Sequence, residues 1–134
     1  MVRIIDASVA VAFFTQSERT ALATPIFESE ATLLAPDLLV SETTNALRTY
    51  QRVLQSSPDV VAAFLERICQ DVFLVPSREL VRTAFVIACE LNHAAYDAFY
   101  LALALREGAQ FVTFDERLKR KVSGTKYASL IFNP

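Results

Sequence analysis

The residues of this chain best suited to chemistry are acids set among apolar neighbours. Asp97 lies in the first turns of the run AAYDAFYLALA, and Asp115 directly follows Phe111-Val112-Thr113-Phe114. A carboxylate among apolar side chains is costly unless something pairs it. Asp6 closes the short run Val2-Arg3-Ile4-Ile5 and precedes the apolar segment ASVAVAFF. Glu42 falls on a helical stripe with Leu39, Ala46, Tyr50 and Val53. Each acid also has a plainer role open to it. Asp6 can cap the helix that follows, Glu42 can reach solvent from the edge of its stripe, and Asp97 can accept a core hydrogen bond from Tyr, Ser or Thr. Asn45, one turn after Glu42, is placed to orient it.

Other reactive types are scarce. His93 is the only histidine. At a helix start it reads as a cap or surface residue, which argues against histidine-dependent hydrolysis. Cys69 and Cys89 sit in apolar helical contexts and read as small buried residues. No zinc spacing occurs, and a disulfide is not expected in a reducing compartment. There is no glycine-rich phosphate loop, so nucleoside-triphosphate hydrolysis is disfavoured.

The elements that must position these acids follow from pattern. Residues 2–5 read as a buried strand and 7–14 as an apolar helix. A helix over 18–29, capped by Ser17, should kink or break at Pro25. Residues 32–35 form a second strand, and Asp37 caps a long helix over 38–55. Arg48 and Arg52 are i,i+4 neighbours on it, a solvated basic face or a phosphate contact. Ser57 and Pro58 start a helix over 58–70. A strand at 72–75 and a helix at 78–91 follow. Asn92 caps the Asp97 helix, 94–107, and Gly108 ends it. After the strand at 111–114 comes a short basic helix at 116–121, then a last strand at 128–132.

Strands alternating with helices predict an α/β fold, a parallel sheet covered by helices on both faces. The 134 residues fit one domain, 1–134, and 53% hydrophobic content argues against disorder. The longest apolar runs, 7–14 and 98–105, are too short to span a bilayer and no leader of signal-peptide type is seen, so a soluble, cytoplasmic protein is expected. The net charge of −2 argues against a nucleic-acid binder at first sight. Set four clustered acids aside, however, and eleven acids face 13 Lys plus Arg over the remaining surface.

In a right-handed parallel sheet the carboxyl ends of the strands share one edge. Asp6 and Asp115 follow strands, while Glu42 and Asp97 lie early in helices, so all four are expected to converge in one cleft. Four carboxylates there repel one another and raise one another's pKa. A hard divalent cation, Mg²⁺ or Mn²⁺, resolves the conflict. So held, one or two ions can activate a water and stabilise a phosphate oxyanion. Phosphodiester hydrolysis then needs no histidine, cysteine or serine nucleophile.

At these residues the chain resembles a known family. IIDASVAVAFF, PDLLVSETTNAL, HAAYDAFYLALA and FVTFDERL look like the four signature blocks of PIN-domain ribonucleases, in order over nearly the whole chain. The small size and the YDAFYLALA block resemble the VapC-type toxins of bacterial toxin–antitoxin pairs. The resemblance implies a PIN-like three-layer α/β/α sandwich with strand order 3-2-1-4-5. It implies an endoribonuclease with Mg²⁺ or Mn²⁺ held by Asp6, Glu42, Asp97 and Asp115. It places Ser8 and Thr113 as supporting hydroxyls and Asn45 beside the glutamate. It further implies tRNA or rRNA as substrate, a cognate antitoxin that threads into the acidic cleft, and a homodimer. One departure is Ala94, where Ser or Thr is common at the start of the Asp97 helix. Two competing readings are a catalytically silent PIN-like RNA-binding or interaction module, and a phosphorylation receiver domain. The receiver reading lacks an acid after the third strand, at Val75-Pro76, and a lysine after the last.

Overall fold

The computed structural model describes residues 1–15 and 17–133. Four parallel strands form one sheet: β1 (Val2–Ile5), β2 (Thr32–Pro36), β3 (Val72–Val75) and β4 (Gln110–Val112). Their order is β3-β2-β1-β4. Ile4 pairs with Leu34 on one side and Phe111 on the other, which puts β1 at the centre. Ile4, Ile5 and Phe111 are completely buried, as expected for apolar strands covered on both faces.

The helices are α1 (Ala7–Phe14), α2 (Thr20–Glu28), α3 (Leu38–Leu54), α4 (Pro58–Asp71), α5 (Val81–Leu91), α6 (Ala95–Glu107) and α7 (Glu116–Val122). They flank the sheet, with α6 packed over β1, β2 and β4 and α4 against β3. Tyr100, Leu101 and Leu103 of α6 are buried in the core. Among the described residues no helix is long and apolar enough to cross a membrane.

Several expectations are corrected. The fifth strand is absent: Ala128–Leu130 is a 3₁₀ turn, and only an isolated bridge joins Ile131 to Phe111. Asp37 does not cap α3 with its side chain. It takes a helical φ of −63° and accepts instead from the Ser77 N–H at 3.1 Å and the Ser77 hydroxyl, tying the end of β2 to the segment after β3. Asn92 ends α5 in the left-handed region, φ 48°, a conformation Asn tolerates, rather than capping α6. Ala94 holds the α6 cap position without a side-chain bond. Ser57 makes no cap bond either. Of the kink or break expected at Pro25, the break does not occur, since α2 continues through it to Glu28. The buried stripe of α3 is Leu39, Thr43 and Leu47, so Val53 is exposed. Cys69 and Cys89 are both exposed, because their helices turn other positions (Ile68 and Ala88) to the core.

Candidate active site

The sequence goes straight from β1 into α1, and Asp6 is the hinge of that turn. Its backbone is extended, and its carboxylate caps α1 by accepting from the Val9 N–H at 3.3 Å. The same carboxylate accepts from the Ser8 hydroxyl at 2.5 Å and from the Thr113 hydroxyl just beyond β4. Ser8 Oγ in turn accepts from the Phe114 N–H at 2.9 Å, and Thr113 Oγ1 from the Asp115 N–H at 3.1 Å. The two strand ends are thus laced together around one acid. Cap and site are compatible roles here. Asp6 is buried, and burial pushes its carboxyl up to about 6 although all three hydrogen bonds pull the other way; the charge of Asp97 adds to the rise.

Glu42 projects from α3 and is half-buried. Tyr100 Oη donates to Glu42 Oε1 at 2.6 Å. Burial raises the Glu42 carboxyl, the Tyr100 bond lowers it, and Asp97 repels it. Tyr100 is itself buried and stacks on Phe111 with ring centroids 5.5 Å apart. Burial and then the bond to Glu42 raise its phenol far above the ordinary value, with the fields of Asp6 and Asp97 adding, so it stays a donor. Asn45 is exposed and makes no side-chain bond to Glu42 among the described residues.

Asp97 sits in the first turn of α6, within the electrostatic reach of Asp6 and Glu42. Its Oδ2 is 2.6 Å from His93 Nε2. Asp115 caps α7, its Oδ1 accepting from the Leu118 N–H at 3.1 Å. Asp97 and Asp115 line one cavity of about 390 Å³ together with His93, Arg117 and Lys121. A separate cavity of about 350 Å³, lined by Leu22, Ile26, Phe114 and Phe132 among others, holds none of the four acids.

The four acids therefore fall into two overlapping groups. Asp97 lies within electrostatic reach of both Asp6 and Glu42, and Asp97 and Asp115 share one cavity. As the side chains stand, no three acidic, imidazole or thiol groups among the described residues are gathered closely enough for one ion. The donor chemistry nevertheless suits a hard cation. The set is all oxygen, and among the described residues no Lys or Arg pairs with any of the four acids. Two partners escaped the sequence reading. Tyr100 gave no local sign of its bond to Glu42. His93 did give one, standing four residues before Asp97, just ahead of the first turn of α6.

A parallel sheet with acids at its carboxyl edge defines a class, and the family comparison agrees. The model of the PIN domain matches residues 3–123, and the chain belongs to that family. It is 29% identical over 121 residues to Ribonuclease VapC3 of Pyrobaculum aerophilum, covering 88% of this chain and 92% of that protein. Its fold is similar to the crystal structure of PAE2754 from Pyrobaculum aerophilum, with a TM-score of 0.65 at 22% identity, over 93% of this chain and 82% of that one. It is also similar to VapBC2 from Rickettsia felis bound to a promoter DNA fragment, with a TM-score of 0.64 at 14% identity, over 90% and 92%.

Proposed function

We propose that this chain is the toxin of a VapBC-type toxin–antitoxin pair and acts as a metal-dependent endoribonuclease. The observation that carries the reading is the group Asp6, Glu42 and Asp97. The charge of Asp97 acts on both Asp6, which is buried, and Glu42, and no Lys or Arg is paired to any of the three among the described residues. Such an arrangement is costly by itself, and it is relieved by a cation. The likeness to a protein named as a ribonuclease supports the same conclusion.

Asp6, Glu42, Asp97 and Asp115 would hold Mg²⁺ or Mn²⁺. Bound there, the ion supplies a water of lowered pKa and neutralises charge on a phosphate oxygen. The remaining work belongs to the chain. Ser8 and Thr113 fix Asp6 by donating to its two oxygens. Tyr100 fixes Glu42 and stays protonated to do so. His93 holds one oxygen of Asp97, leaving the other free. Hydroxyl and imidazole supports of this kind orient ligating acids. The substrate is RNA, tRNA or rRNA, and the compartment is the cytoplasm. A cognate antitoxin covers the acidic cleft. A homodimer is expected, and the exposed Val81, Phe85 and Val86 of α5 offer an apolar face for it.

A catalytically silent RNA-binding module is the second reading. It is favoured by the absence of a three-ligand cluster among the described residues and by the capping role of Asp115. Total cellular RNA incubated with the protein and Mg²⁺ or Mn²⁺ separates the two. Discrete fragments, lost with chelator and with Asp97→Asn, are expected. Intact RNA with well-folded protein would favour the silent module.

A further inference from the structure

The cavity beside Asp97 and Asp115 has a basic wall that the metal chemistry does not use. Arg117 and Lys121 both line it, four residues apart and so on one face of α7. Both are exposed, and neither forms an ion pair among the described residues. Their neighbour Lys119 differs, because it pairs with Glu116 at 3.5 Å. Two acids open onto the same cavity, yet neither cation closes onto them. The cavity volume, about 390 Å³, lies within the ~300–1,000 Å³ range of ligand clefts.

We infer that Arg117 and Lys121 form a phosphate subsite, which holds a backbone phosphate of single-stranded RNA next to the bond to be cut. The inference rests on the nuclease reading for its substrate and adds the path of the strand. It enters on the α7 side, past His93, and reaches the acids from there. Arg presents a planar fork suited to two phosphate oxygens, and Lys adds a mobile point charge. The geometry also answers a problem of sign, since a polyanion must approach a cleft of carboxylates. Two cations on the cavity wall, within two turns of Asp115, lower that barrier where the strand arrives. A contact to phosphate positions the strand, so the effect of Arg117 and Lys121 is on affinity and register.

The test is binding, measured apart from cleavage. A fluorescein-labelled single-stranded RNA is titrated with wild type, Arg117→Gln/Lys121→Gln, and the control Arg67→Gln/Arg82→Gln, all in chelator, over a series of salt concentrations. Each phosphate contact to a single strand contributes ~0.7 to the slope of log affinity against log salt, so loss of two should flatten the slope by about 1.4. Binding at low salt should weaken several-fold, and Arg117→Lys/Lys121→Arg should restore both. The control, which removes equal charge from α4 and α5, should keep the wild-type slope. Equal slopes for the two glutamine doubles, or no binding by wild type, would overturn the inference. Cleavage of the same RNA with Mn²⁺ is scored separately. Failure to cleave with the slope change intact would refute the nuclease reading and leave the subsite standing.

Discussion

The two parts of the candidate site, an inner end and an outer end, are built differently. The inner end, around Asp6 and Glu42, is assembled from residues far apart in the chain: Ser8 and Thr113 are 105 positions apart, Glu42 and Tyr100 58. Asp6 and Thr113 are buried, Glu42 and Ser8 half-buried, and each acid is held by hydroxyls. The outer end, around Asp97 and Asp115, is local and open. His93 reaches Asp97 within one turn, and Asp115 bonds the first turn of its own helix. Asp97 and Asp115 are each partly exposed, and Arg117 and Lys121 line the same cavity. The contrast teaches a division of labour. Under the proposed function, the inner end is the fixed frame in which a metal would be worth most, and the outer end is where the substrate would enter.

The sharpest way to break this contrast is at Asp6. Asp6→Asn should lower RNA cleavage by more than ~100-fold, beyond what loss of a supporting residue costs, while circular dichroism stays native. Thr113→Val removes a support from the same acid. Mn²⁺ affinity by calorimetry should then fall ~10–100-fold. An unchanged affinity would mean that the hydroxyl lacing serves the fold alone.

The rise at Asp6 should be visible without metal. The Asp6 carboxyl rises from 3.8 to about 6 on folding, so between about pH 4 and pH 6 the native state binds more protons than the unfolded chain. Stability from this group is then present at low pH and falls as pH rises through that window. A shift of about two units corresponds to at most ~3 kcal/mol. Chemical denaturation in chelator should show the decline in wild type and a flatter profile in Asp6→Asn. The outer end should respond least. His93→Gln keeps a donor near the half-exposed Asp97, and a loss of activity below ~10-fold is expected. A loss as large as that of Asp6→Asn would erase the distinction between the two ends.

Much of this was legible in the sequence, for local reasons. A β-branched run, an acid and an apolar helix at residues 2–14 could hardly read otherwise, and strand ends in a parallel sheet must share an edge. Ser8 and Thr113 came from the family resemblance and meet at Asp6 in the structure. What failed needed tertiary information. The run at 128–132 has strand-like composition, but a terminal segment that meets β4 at a single bridge cannot propagate a ladder. The α3 stripe was misplaced because Val53 is apolar yet exposed, while the buried Thr43 is polar. Asp37 had the type and position of a cap, and lost that role to Ser77 from a distant segment. His93 was misread for the opposite reason: its spacing to Asp97 was in plain view, and its isolation as the only histidine made it look idle.

On the proposed function, Asp97 repels Asp6 and Glu42 and is kept for a divalent cation. Thermal unfolding of wild type and Asp97→Asn, each in chelator and with Mn²⁺, tests it most directly. Wild type should melt higher with Mn²⁺, and Asp97→Asn should be at least as stable as wild type in chelator and gain little from the ion. A wild type indifferent to Mn²⁺, together with a strongly destabilised Asp97→Asn, would instead make Asp97 a structural residue of the core.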